Sequence, residues 1–314
     1  MTTTVLDRRG LRSGVPWPGL GLALASAAAF GLAGPLGSAL LRIGWSPAAV
    51  VAARVGGAFL VLLVPCLVLL RRTGWPTFRQ LGRLSAYGVV AVAAAQLCYF
   101  SALSYLSVGV ALLLEYTAPV LLIGWFWWRT GRRPRPAVLA GAALALLGLV
   151  LVLDLARGLS VNPVGVAWGL AAAACLCVYF LLSEHNGEAP AIAPLVLTTA
   201  GTGIGAVVVL AVGAAGLFPL RAGLGATELA GFAVPWWLPV GLLMLISGCF
   251  AYLVGIRAVR QLGSSLASFV GLTEVIFAVV FAAVLLAQQP TTTQLAGGVL
   301  VLAGIAVVQR GQAR

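Results

Sequence analysis

Three charged side chains lie where charge is expensive. Glu115 sits inside the apolar run "LLLEYTAPVLL" (112–122), Glu274 inside "SFVGLTEVIFAVV" (268–280) and Arg54 inside "SPAAVVAARVGGAFL" (46–60). A full charge at bilayer depth costs several kcal/mol unless it is neutralised, paired or turned towards water. Three kinds of chemistry answer that cost: an ion pair, a carboxyl that takes up and releases a proton, and a carboxylate that contacts a substrate ammonium. Arg54 and Glu115 each lie seven residues into their runs from the same side. At about 1.5 Å per residue both stand roughly 10 Å below one surface. An Arg54–Glu115 pair would neutralise two costly groups. Glu274 is ten residues in from the other side, near the centre, with no basic residue at its level. It is therefore the first candidate for a proton carrier or an ammonium contact, and Glu115 the second. Gln96, Tyr99, Phe100, Tyr116, Tyr179 and Tyr252, in neighbouring apolar runs, are further candidates for lining a substrate path. The bland alternative is packing: Glu115 against Tyr99, Glu274 against Ser268, and the aromatic rings against lipid.

The elements that must position these groups are membrane helices. Of 314 residues, 61% are hydrophobic and 8% charged, against about 25% charged in soluble domains. A helical span needs about 20 apolar residues, and ten such runs occur: 18–41, 47–70, 84–105, 108–128, 136–154, 163–183, 192–214, 237–258, 264–286 and 293–309. Pro, Gly and Arg mark most of the turns between them, as in "GWSP", "RRTGWP", "TGRRPRP" and "QQPTTTQ". The stretch 217–236 has room for an extra surface helix. Trp125, Trp127, Trp128, Trp236 and Trp237 stand at span ends as interfacial anchors. Pro35, Pro119 and Gly271 fall within spans and are candidate hinges, Pro119 because it removes a backbone bond from its helix.

All 19 basic residues are arginine, and the net charge is +12. The arginines cluster in the segments between spans, which is a signature of topology and not of nucleic-acid binding. With a cytoplasmic N-terminus, fifteen fall on the inner side and only Arg42, Arg157 and Arg221 on the outer side. Both termini, 1–17 and 310–314, are thus expected in the cytoplasm, and the first span is expected to be retained. The acidic loop "SEHNGEAP" (183–190) carries little topological weight. The five cysteines show no paired spacing, and His185 has no Cys or His beside it, so neither a disulfide framework nor a metal site is expected. No GxxxxGK[ST] loop occurs, so no nucleotide drives this chain by itself. An enzyme acting on lipid-linked substrates needs polar groups clustered at one interface, whereas Asp154 and His185 fall on opposite sides. No cofactor is implied.

The chain also repeats itself. "LAGAALALLGLVLV" (139–152) and "LAGGVLVLAGIAVV" (295–308) agree at seven of fourteen positions, among them Gly141 with Gly297 and Gly148 with Gly304. "TAPV" (117–120) aligns with "LTEV" (272–275), and "SPAAVVAARVGG" (46–57) resembles "APLVLTTAGTGI" (193–204). The order is preserved throughout, so spans one to five and six to ten read as two copies of one unit. Five is odd, so the copies are inserted in opposite senses, as in secondary transporters with a midplane site between the halves. Glu115 and Glu274 then occupy counterpart spans, one helical turn apart in the alignment.

The pieces "AARVGGAFLVLL", "YFSALSYLSVGVALLLEYTAPVL" and "AYLVGIRAVRQLGSSLASFVGLTEVIFAVVFAAVLL", with the paired "LAG" closers, resemble the ten-helix drug/metabolite transporters with paired EamA domains over residues 18 to 309. The resemblance implies an all-α polytopic protein of the bacterial inner membrane, with inverted five-helix repeats at 18–154 and 163–309. It implies export or exchange of small metabolites through a cavity shared by both halves, with protons as a candidate coupling ion. "VGVALLLEYTAP" looks like the branch that exports amino acids and related compounds. The family often carries a Glu just before each half's last helix; Arg132–Arg133 and Gln288–Gln289 stand there instead, so that acid's role is not carried over.

Overall fold

Several helix starts and stops are set by residues that satisfy free backbone groups. Ser46 and Asn162 accept from the backbone N–H groups of Ala49 and Val164, each just ahead of a proline at the first helical turn. Thr77 and Gln80 form a reciprocal capping box. Gly131, in the left-handed conformation, ends the helix before it. The computed structural model describes residues 17–103, 105, 108–131, 133–152, 162–184, 192–287 and 291–313. The N-terminal tail up to residue 16, Arg132, Asp154, Arg157, His185 and Gln288–Gln289 lie outside these.

The helices are α1 (Trp17–Arg42), α2 (Pro47–Thr73), α3 (Phe78–Ala102), α4 in two pieces (Val108–Glu115 and Ala118–Thr130), α5 (Pro136–Val152), α6 (Pro163–Ser183), α7 (Pro194–Ala214), α8 (Trp237–Leu262), α9 (Ser264–Leu286) and α10 (Thr292–Ala313). Seven of them, α1 to α3 and α6 to α9, are long and apolar enough to cross a membrane. Large apolar side chains such as Leu60, Val64, Leu147, Val207, Val284 and Val299 point outward, which suits a surface solvated by lipid.

In place of the surface helix expected near 217–236, a β-hairpin pairs β1 (Ala226–Leu229) with β2 (Phe232–Pro235). Its two-residue turn, Ala230–Gly231, takes positive φ at both positions, the geometry that matches the twist of antiparallel strands. The hairpin is tied to the bundle by Thr227 Oγ1 donating to the Ala39 carbonyl (2.8 Å) and Ala230 N–H donating to the Leu285 carbonyl (2.6 Å).

Two apolar clusters hold the bundle. One joins α2, α3, α7 and α8 through Val51, Val55, Val92, Leu197 and Leu243; the other joins α4, α5, α9 and α10 through Ile123, Ala145, Val275 and Val301. The closest approach is between α5 and α10. A Cβ on Gly141 would meet the Gly304 carbonyl oxygen at 2.8 Å, and one on Gly148 the Gly297 carbonyl oxygen at 2.7 Å. The lower-numbered glycine of α5 thus meets the higher-numbered glycine of α10, so the two helices run antiparallel. Small residues at such contacts are what allow helices to approach in lipid.

Candidate functional site

A cavity of about 380 Å³ lies among α1, α3, α4, α6, α8 and α9, and Arg54 reaches it from α2. Of the residues singled out from sequence, Arg54, Gln96, Tyr99, Phe100, Glu115, Tyr116, Tyr179, Tyr252 and Glu274 all line it, as do Pro35 and Gly271. Pro119 does not; it is buried in the first turn of the second α4 piece.

The helices that line the cavity are irregular where they meet it. α1 breaks at Leu32, between Trp17–Gly31 and Ala33–Arg42. α4 breaks after Glu115 and α9 at Leu272, between Ser264–Gly271 and Thr273–Leu286. Each acid therefore stands at a break. Glu115 ends one half-helix, while Glu274 lies in the first turn of another, the end at which free N–H groups favour negative charge. α3 and α8 each contain a π-helical stretch, Tyr87–Ala94 and Leu243–Phe250. Such stretches mark functional helices, and these two precede the turns that present Gln96 and Tyr252. Gly31 lets the α1 break press on α9: a Cβ there would meet the Glu274 carbonyl oxygen at 3.0 Å.

Arg54 is 4% exposed. One terminal nitrogen donates to Gln96 Oε1 (3.0 Å) and the other to the Ser247 carbonyl (3.0 Å). The rings of Phe30 and Tyr252 flank the guanidinium at 5.5 and 6.0 Å. The expected Arg54–Glu115 ion pair is not formed among the described residues. α2 packs on α3, α7 and α8 and turns Arg54 to Gln96 of α3 and the Ser247 carbonyl of α8 instead. Equal depth does not bring the two together. The two carboxyls share the cavity, interact with one another through space and both feel Arg54. The Tyr116 hydroxyl lies close enough to the Glu274 carboxyl to interact with it.

Aromatic rings form the rest of the wall. Phe30 meets Tyr252 edge-on at 5.0 Å, Tyr99 meets Phe100 at 5.3 Å, and Tyr179 meets Phe180 at 5.2 Å and Tyr252 at 6.0 Å. Phe30 and Phe180 escaped sequence reasoning. The "YF" pair of α3 recurs in α6 as Tyr179–Phe180, a signal that points to Phe180; Phe30 in an alanine-rich run carries none.

The cavity has one open end. Near Arg42, Ser38, Ala282 and Leu286 its lining is exposed or half-buried, whereas Ala23, Ala258, Val259 and Ala267 at the other end are buried. Beyond that closed end two arginines brace the chain. Arg83 of α3 donates to the Leu182 and Glu184 carbonyls, and Arg260 of α8 to the Ser183 and Ile192 carbonyls. They hold the end of α6 and the start of α7, the termini of the acidic segment that ran against the arginine pattern.

Apolar-surfaced helices, broken beside two half-buried acids that face a polar and aromatic cavity, define a multi-pass membrane transporter. The chain belongs to the EamA-like transporter family, whose model matches residues 17–154 and again 163–310; it is a transporter and not an enzyme. It is similar to the aromatic amino acid exporter YddG of Ancylobacter novellus, 34% identical over 116 residues. That match spans 37% of this chain and 40% of the relative. A crystal structure of another protein shares the fold at TM-score 0.70 and 21% identity, covering 92% of this chain and 98% of the other.

Proposed function

We propose that this protein is a secondary active transporter that exports or exchanges small amphipathic metabolites of the amino-acid class, aromatic ones foremost, by alternating access. The observation that carries the reading is the cavity itself: two arginines, two carboxyls and a wall of aromatic rings, exposed at one end and buried at the other. The similarity to an aromatic amino acid exporter favours an aromatic amino acid. In this reading α1 to α10 all cross the bacterial inner membrane, both termini are cytoplasmic, and two inverted repeats at 18–154 and 163–309 rock about the cavity. The antiparallel contact of α5 with α10, through glycines matched between the repeats, supports the inversion. The Arg42–Leu286 end then faces outward. Glu274 serves as the proton carrier or ammonium contact, with Glu115 in support.

Proteoliposomes test this. Labelled L-phenylalanine is expected to show counterflow, and an imposed pH gradient to drive its uptake. Glu274→Gln is expected to retain counterflow and lose the response to the gradient. Unchanged proton coupling in that variant refutes the role given to Glu274, and absence of amino-acid counterflow in the wild type refutes the reading as a whole.

A further inference from the structure

Arg54 is a buried cation with only neutral partners in direct contact. A guanidinium carries five N–H donors, and here one terminal nitrogen is committed to an amide oxygen and the other to a backbone carbonyl, while Nε–H has no acceptor. Two aromatic faces hold its plane. No carboxylate pairs with it among the described residues, although Glu115 and Glu274 face the same cavity. A buried charge left without a counter-ion is costly, and a fixed, planar fork of donors is suited to receive a carboxylate with both oxygens. The carboxyls of Glu115 on α4 and Glu274 on α9 line the same cavity, within electrostatic reach of Arg54 but not bonded to it. Aromatic rings line the same space, and the volume is at the small end of ligand pockets.

We infer that Arg54 is the carboxylate-binding group of the cavity, so that the substrate is a zwitterion whose free carboxylate lies on Arg54 and whose ammonium lies towards Glu274. This rests on the transport reading above and adds a specificity-determining residue to it. A substrate whose carboxylate is blocked then leaves the guanidinium without its counter-ion and loses a charge-assisted hydrogen bond.

The experiment is competition against labelled L-phenylalanine counterflow in proteoliposomes, with L-phenylalanine, L-phenylalaninamide and 3-phenylpropionate as competitors. Wild type is expected to bind the amide about tenfold or more weakly than the amino acid. Arg54→Gln is expected to erase that preference, and Arg54→Lys, which keeps the charge, to restore part of it. Arg42→Gln, at the exposed mouth, is expected to keep it. Equal competition by amide and amino acid in the wild type overturns the inference while leaving the transport reading intact. So does a preference that survives Arg54→Gln, or one that Arg42→Gln removes instead. If no amino acid exchanges, direct binding of 3-phenylpropionate to detergent-solubilised protein decides: binding lost in Arg54→Gln upholds the carboxylate site without the amino-acid reading, and no binding overturns both.

Discussion

At the scale of single residues, the site depends on how Arg54 is held. Among the described residues, Gln96 supplies the only side-chain oxygen that the guanidinium is bonded to, the other acceptor being the backbone carbonyl of Ser247. Gln96→Leu therefore strands a buried donor at a cost of about 1–3 kcal/mol. A fall in the thermal midpoint of the detergent-solubilised protein is the expected result, and an unchanged midpoint would show that the bond contributes nothing. The candidate lining was legible in the sequence because charge and amide groups in apolar runs have few tolerable places to point. The partner of Arg54 was not. Depth follows from counting residues along a helix, but rotation about the axis does not. α2 turns Arg54 towards α3 and α8, and the π-helical stretches shift the faces of those two helices in a way no apolar periodicity records. Depth alone allows an Arg54–Glu115 pair but does not decide it, and among the described residues Arg54 is bonded to Gln96 and Ser247 instead.

Among elements, the helices were legible from apolar length and from their caps, and most of the expected spans recur within a few residues. Two features were not. The hairpin at Ala226–Pro235 hides behind a turn, Ala230–Gly231, whose first residue gives little sign of a positive φ. The break in α9 at Leu272 lacks a proline; only Gly271 hints at it, while the α4 break was announced by Pro119. The α5–α10 contact was foreshadowed by the repeated glycines, and it supplies a sharp test. Gly141→Leu drives a side chain into the Gly304 backbone and Val308. Overpacking of this kind costs about 1–3 kcal/mol or more. A lower thermal midpoint with little change in substrate affinity is expected, because α5 and α10 contribute nothing to the cavity wall. Loss of affinity at full stability would mean that the pair does more than brace the bundle.

For the whole molecule, the account requires one cavity to serve two faces of the membrane in turn. The present conformation is open near Ser38 and Leu286 and sealed near Ala258 and Ala267. Beyond the buried end, Arg83 of the first matched segment donates to the Leu182 and Glu184 carbonyls of the second, so rocking of the two halves is expected to strain or release those bonds. The most direct measurement is thiol labelling in oriented vesicles, with Ser38→Cys and Ala267→Cys placed separately in a background freed of the five native cysteines. Position 38 is expected to react from outside and position 267 from the cytoplasmic side, with L-phenylalanine changing the two rates in opposite directions. Reaction of both positions from the same face, with rates indifferent to the amino acid, would contradict an alternating cavity between inverted halves.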